Sequence, residues 1–407
     1  MSSHSSRRRF LQIGGAASIG GRSSIQRSAL NVQDSALIIG QSLAAGGGTG
    51  TSAISTTQPY SNKMFAGGVL RPASQSSYLA LVEGTGNGVN RETIASGFAN
   101  QVAHYQRDLV ADSDARDLLM HNWAQDGQCY SALRKGGTLP NYANSIAAVE
   151  QAVGNLPSGK TSLNVRAVLC VHGECDASNA SYAANLATWQ SDYEGDIQAA
   201  TGQSDAVPMF MSEWQAAKLT NIYGAYLANP TKNVLVCPKY FLAHSDSLHL
   251  VSSQYTILGE YYAKAYWQHV IQGVPWNPLR PTSISRSGAV ITLVYNTGRV
   301  GNLVFDTATV AALADGNYGY TYTDNMTSMI HVQSVAITDA ENGVVQVTLD
   351  GNPGASGGFF SYAAVGSGGG PVTGQRGNLR DSDPTVSRTG YSMYNWATNW
   401  TVASGTV

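Results

Sequence analysis

The chain has 407 residues, enough for two domains, and with 43% hydrophobic residues it can bury a sizeable core. Its formal net charge is −2 and only 12% of its residues are charged, so nothing electrostatic points to nucleic acid or an anionic membrane as partner. No apolar stretch approaches the length of a transmembrane helix.

Residues 1–33 read as an export signal or a disordered tail. Arg7-Arg8-Arg9-Phe10-Leu11 precedes a weakly apolar run, Ile13–Gly21, in the order of a twin-arginine signal. That order implies export to a periplasmic or extracellular compartment; the alternative is a basic tail.

From 34 to 272, short apolar runs alternate with segments of helical period. Strands are expected at Ala36–Ile39, Asp117–Trp123, Val165–Val171, Val207–Met211 and Val234–Pro238. Helices are expected at Thr93–Val110, Tyr142–Val153, Ala180–Thr201 and Gln254–Ile271, where Tyr255, Leu258, Tyr262 and Tyr266 line one stripe. This alternation implies an α/β domain, a parallel sheet flanked by helices.

Pro275, Pro278 and Pro281 break the pattern and mark a boundary. Over 282–363 the runs Ala289–Tyr295, Asn302–Phe305, Tyr318–Tyr322, Ile330–Thr338, Val344–Leu349 and Gly358–Ala363 are short and bounded by Gly, Asn or Asp, as in a small β-sandwich. Residues 364–407 read as a linker and a docking tail. Gly366-Ser-Gly-Gly-Gly-Pro371 has the composition of a flexible linker, and Gly374–Pro384 is polar and loop-like. Tyr391, Tyr394, Trp396 and Trp400 make the last stretch too aromatic to stay in water.

Two places carry chemistry. Ala36–Ile39 runs into Gly40-Gln41-Ser42, which sets a serine at the carboxyl edge of a buried first strand, where such sheets bind ligands. Much later, Asp246-Ser247-Leu248-His249 offers a carboxylate and an imidazole on one loop. Serine is a weak nucleophile until a neighbouring imidazole takes its proton, and a carboxylate must hold that imidazole in the right tautomer. Ser42, His249 and Asp246 are the parts of a serine hydrolase, without the Gly-x-Ser-x-Gly elbow of the α/β-hydrolases. His244 is the nearest rival base.

These motifs resemble those of the SGNH (GDSL-like) hydrolase superfamily and, within it, the sialate O-acetylesterase-like carbohydrate esterases. Asn122-Trp-Ala-Gln-Asp-Gly127-Gln128 resembles their second block, and Val168-Leu-Cys-Val-His172-Gly173-Glu174-Cys175-Asp176 the third. Arg91-Glu92-Thr93 resembles a further segment of the group. The resemblance spans residues 34–270 in the right order. It implies a flavodoxin-like α/β/α fold, and hydrolysis of acetyl or other short acyl esters on a carbohydrate. It also implies an oxyanion hole built from the amides of Ser42 and Gly127. The third block departs from the pattern: His172 stands where these esterases carry Gln, and Cys175 where the wider superfamily has an oxyanion-hole Asn. A histidine N–H can donate to an oxyanion, so His172 is a candidate third donor. Gln41 and Glu174 are candidate substrate contacts.

Other readings stay open. Glu174 and Asp176 share one short loop and point to no defined cleft, which argues against a glycosidase pair, and Glu213-Trp214 is a substrate contact or an ordinary strand end. The eight histidines form no helical His-x-x-x-His pair, and Gly46–Gly50 is not followed by Lys-Ser/Thr, so no metal or cofactor is expected. Cys129, Cys170, Cys175 and Cys237 admit three disulfide pairings; Cys170 reads as a buried thiol, and a Cys129–Cys175 bridge would join two site loops. A carbohydrate-binding or adhesion protein on an inactive hydrolase scaffold, and a lipid or thioester hydrolase of the same superfamily, are the rival functions. The oligomeric state is not encoded in any of these features.

Overall fold

The computed structural model describes residues 31–48, 51–85, 89–112, 114–213, 220–295, 298–324, 330–354 and 358–403. Of the expected signal or tail at 1–33, residues 1–30 lie outside the described residues, as does Trp214, while Val32 and Gln33 belong to the first strand. The first strand, β1 (Val32–Gly40), begins two residues before the expected boundary of the first domain and is buried along nearly its whole length. It is the centre of a seven-stranded sheet with β2 (Lys63–Phe65), β3 (Tyr78–Ala80), β4 (Leu118–Asn122), β5 (Ser162–Val171), β6 (Met209–Met211) and β7 (Asn233–Leu235), ordered β3-β2-β4-β1-β5-β6-β7. Every pair is parallel except β2 with β3. The chain leaves β1 for β4 on one side and then crosses to β5 on the other. A crevice at the carboxyl ends of β1 and β5 follows from that reversal.

Alternation along β1 divides the core. Ala36 and Ile38 pack with Phe98 and Val102 of α1 (Ile94–His104) and with Leu258 and Tyr262 of α6 (Ser252–Tyr266). Leu37 and Ile39 face the other way, toward α3 (Asn141–Gly154), α4 (Tyr182–Thr201) and α5 (Thr220–Ala228), with Val149, Trp189 and Tyr226 in that cluster. Helices therefore cover both faces, which is why the carboxyl halves of the two strands, Ala36–Ile39 and Ala167–Val171, are apolar without alternation. The short α2 (Tyr130–Leu133) follows the second sequence block. Thr93 caps α1 by accepting from the Ala95 amide at 3.1 Å, so the sequence block that carries it also starts the helix. The expected helices at 93–110 and 254–271 end in π turns, Tyr105–Leu109 and Trp267–Ile271. Strands β2 and β3 and helix α5 leave no mark in the sequence, because three residues, or a helix with no apolar stripe, carry no period.

Beyond the proline-rich boundary the sheets are antiparallel. One has the order β12-β13-β9-β8, from β8 (Ser283–Ser287), β9 (Val290–Val294), β12 (Val332–Asp339) and β13 (Val344–Leu349). Another joins β11 (Tyr320–Asp324), β14 (Gly358–Tyr362) and β16 (Trp400–Ala403), the last from the tail. Short β10 (Val304–Phe305) pairs with β15 (Leu379–Arg380). Ile291, Val345, Phe360, Tyr362 and Trp396 belong to the same hydrophobic cluster as α1 and α6, so the antiparallel part shares a core with the parallel one.

The polar stretch Gly374–Pro384 is not simply loop. Asn378 and Asp381 are fully buried, and Asp381 accepts from the Val300 amide at 2.8 Å and from the Asn395 side chain at 2.7 Å. Buried polar groups survive when they pair with one another, a signal that hydropathy does not carry. The aromatic stretch Tyr391–Trp400 has partners on the rest of the chain. Trp396 stacks on Phe241 with ring centroids 5.4 Å apart, and Lys264 of α6 binds Asp383 Oδ2 at 2.8 Å and the Met393 carbonyl at 2.6 Å.

Candidate active site

At the end of β1, Gly40 has φ +133°, and a Cβ there would lie 2.1 Å from the Val171 carbonyl oxygen at the end of β5. Only glycine lets the two strand ends approach so closely. The next residues turn sharply: the amides of Ala44 and Ala45 both donate to the Gln41 carbonyl, and Gly47 N–H donates to the Ser42 carbonyl at 2.7 Å. Tyr255 of α6 donates its hydroxyl to the Gly47 carbonyl, which ties the turn to the helix packed beneath it. Ser42 is held at this turn, 8% exposed.

The loop before α6 comes to the same edge. His249 Nε2 lies 2.9 Å from Ser42 Oγ, and His249 Nδ1 lies 2.9 Å from Asp246 Oδ2. With Nδ1–H donated to the carboxylate, Nε2 is left to accept from the serine hydroxyl. The other carboxylate oxygen of Asp246 accepts the amides of Leu248 and His249, both at 2.7 Å. Burial works to raise the Asp246 carboxyl, but the His249 amide, the His249 ring and the Leu248 amide together hold it below the usual carboxylate range. The rival base is turned elsewhere. His244 donates Nδ1–H to the Leu242 carbonyl at 2.8 Å, and burial pushes it down to about 4.

The second sequence block reaches this edge through Gln125, whose amide donates to the Gly40 carbonyl at 3.0 Å. Gly127 sits two residues on, exposed, with φ +69°. Cys129 is bridged to Cys175, which joins the second block to the third. Arg91 pairs with Asp126 at 2.7 Å. Glu92 is fully buried and accepts from the Ile54 and Ser55 amides and the Thr256 hydroxyl, so it staples a loop to α6.

His172 does not fit the expected role. Its side chain is fully buried, with Nε2 3.0 Å from the Gln128 carbonyl and Nδ1 2.5 Å from the Tyr182 hydroxyl. Nε2–H donates to Gln128 and Nδ1 accepts from Tyr182, leaving no ring N–H for an oxyanion. Burial keeps its pKa low. Glu174 is also corrected: it forms a buried ion pair with Lys239 at 2.8 Å, both side chains almost fully covered. Gln41 turns its amide oxygen to the Cys175 amide at 3.2 Å, which orients the third block. Asp176 accepts from the Tyr130 amide at 2.7 Å, an anchor for α2. Glu213 accepts from the Asn399 amide at 2.8 Å and is buried, a strand-end contact with the tail. These partners are far apart in sequence, and no local spacing announces them.

Beside the second block a cleft of about 490 Å³ opens, with Arg71, Gln75, Trp123, Gln125, Asn141 and Asn144 among its walls. The Arg71 guanidinium donates to Gln125 Oε1, and Asn141 donates to the Trp123 carbonyl at 2.8 Å. Polar amides around an aromatic edge suit a hydroxyl-rich ligand.

No protein-family model and no curated protein matches the chain. Among solved structures, XAC1771, a carbohydrate acetylesterase from Xanthomonas citri, is 12% identical with a TM-score of 0.54, covering 92% of this chain and 81% of that one. A protein from Arabidopsis thaliana is 18% identical over 58% of this chain and 99% of its own, with a TM-score of 0.44. NanS is 14% identical over 59% of this chain and 98% of its own, with a TM-score of 0.42. At these identities the likeness establishes a shared fold: a mostly parallel α/β sheet with added antiparallel sheets, as in XAC1771.

Proposed function

We propose that this protein is a serine esterase that removes acetyl or other short acyl groups from a carbohydrate, on a flavodoxin-like α/β/α domain followed by a β-sandwich. The observation that carries this reading is the continuous hydrogen-bonded line Ser42–His249–Asp246 at the carboxyl edge of the parallel sheet. Ser42 Oγ attacks the ester carbonyl while His249 Nε2 takes its proton, and Asp246 stabilises the resulting imidazolium. The tetrahedral oxyanion is held by the amides of Ser42 and Gly127; His172 is left out because both its nitrogens are spent inside the protein. Collapse breaks the ester C–O bond, and the departing sugar oxygen takes the proton from His249 to leave as a hydroxyl, with the acyl group on Ser42. Water, activated by the same imidazole, then releases the acid and restores Ser42.

We place the sugar ring in the cleft bordered by Trp123, Gln125 and Asn144, because Gln125 also binds the end of β1 next to Ser42. The carbohydrate acetylesterase named among the structural neighbours supports that substrate class. The Cys129–Cys175 bridge suits an oxidising compartment, in line with export through the arginine-rich leader. Incubation with p-nitrophenyl acetate and with acetylated oligosaccharides tests the reading. Acetate release that vanishes in Ser42→Ala supports it; equal release by the variant overturns it. A rate that climbs with acyl chain length would instead favour a lipid hydrolase.

A further inference from the structure

The glycine-rich run expected to be a linker folds back on itself. Ser367 N–H donates to the Thr373 carbonyl at 3.0 Å, and Gln375 N–H to the Gly368 carbonyl at 3.1 Å. Arg376, 7% exposed, closes the base of this loop by donating to the carbonyls of Ala311 at 2.8 Å, Ala312 at 3.0 Å and Gly374 at 3.0 Å. Three carbonyls on one guanidinium make a rigid stem.

The tip of the loop presses on the turn that carries Asp246 and His249. Gly369 N–H donates to the Ser247 carbonyl at 2.7 Å. Gly368 has φ +71°, and a Cβ there would lie 3.0 Å from both Ser247 Cβ and its carbonyl oxygen. Gly370 has φ +98°, and its Cβ would meet His244 Nδ1 at 3.2 Å. Side chains at these positions would push the two backbones apart, so glycine here serves close approach rather than flexibility.

We propose that Gly368–Gly370, stiffened by Arg376, is a positioning brace for the acid–base turn, an inference that rests on the esterase reading. Asp246 and His249 lie at the surface, with side chains 34% and 22% exposed, on a loop that must present both His249 nitrogens to partners at once. The brace holds the Ser247 carbonyl, which lies between them in sequence. Misplacing such a group by about 1 Å costs on the order of 10²-fold in rate.

The test compares Gly368→Ala with Gly288→Ala, in the full-length protein. Gly288 also has positive φ, +60°, but a Cβ there meets nothing within 4 Å, so it reports backbone strain alone. Arg376→Met and Arg376→Lys form a second pair, with lysine expected to restore part of what methionine loses. The readouts are kcat and KM on p-nitrophenyl acetate, and hydrogen exchange of the 244–250 amides. The brace requires that Gly368→Ala and Arg376→Met lower kcat by about tenfold or more with KM little changed. Both must also speed exchange of the Leu248 and His249 amides, while Gly288→Ala does neither. Unchanged kcat, with or without faster exchange, in an otherwise active protein overturns the brace alone. A wild-type protein inactive on every ester overturns the esterase reading and the brace with it. Should Gly368→Ala fail to fold, the Arg376 pair decides.

Discussion

The Ser42 hydroxyl and His249 Nε2 lie 2.9 Å apart although 207 residues of chain separate them. The contact follows from the sheet: β1 ends at the serine, and the loop that feeds α6 returns to the same edge because α6 packs across the face shared with α1. Ser42→Ala and His249→Ala should therefore lower kcat on the order of 10⁴-fold or more. Asp246→Asn should cost about 10⁴-fold while leaving the fold intact, since an amide oxygen can still accept the Leu248 and His249 amides. Steady-state kinetics on p-nitrophenyl acetate checks each; a Ser42→Ala enzyme within tenfold of the parent would sink the assignment.

His172 predicts a different pattern. Because its ring is bound to Gln128 and Tyr182, His172→Ala should lower the thermal midpoint and leave kcat within a few-fold of the parent. The loss of an oxyanion donor would instead cost about 10²–10³-fold in kcat. Differential scanning fluorimetry and kinetics on the same sample separate the two outcomes.

Glu213 should make stability depend on pH. Burial raises its carboxyl from the ordinary 4.5 to about 8, against the opposing Asn399 hydrogen bond and Lys239 charge. Between those values the folded state keeps a proton that the unfolded chain releases, so this group's contribution is present at low pH and lost as pH rises toward 8. Glu213→Gln removes the effect. Urea melts should show the variant gaining on the parent from pH 5 to pH 8, by at most roughly 1.4 kcal/mol per pH unit. A difference that stays constant across that range would mean Glu213 is ionised in the fold.

The cleft predicts a split between large and small substrates. Gln75→Ala and Asn144→Ala remove hydrogen-bonding groups from its wall. Each should raise KM for an acetylated oligosaccharide by about three- to tenfold, the worth of one hydrogen bond, and leave p-nitrophenyl acetate turnover unchanged. Equal effects on both substrates would place the sugar elsewhere.

Local spacing by itself determined much of this protein. An apolar run ending in Gly-Gln-Ser, and an aspartate three residues before a histidine, are properties of short segments. Hydrophobic period likewise located β1, β4, β5, α1, α3, α4 and α6, because a residue's place in a strand or helix sets which face it buries. Packing decided the rest. Glu174 has the sequence position of a substrate contact, but Lys239, 65 residues away, pairs with it; His172 has the chemistry of a donor, but Tyr182 and Gln128 occupy its ring nitrogens. The run Gly366–Pro371 has the composition of a linker, and only its position against Ser247 makes it a contact surface. Hydrogen-bond partners and backbone approach are set by segments brought together from distant parts of the chain. Composition states what a residue can do, and the tertiary structure chooses which of its partners it meets.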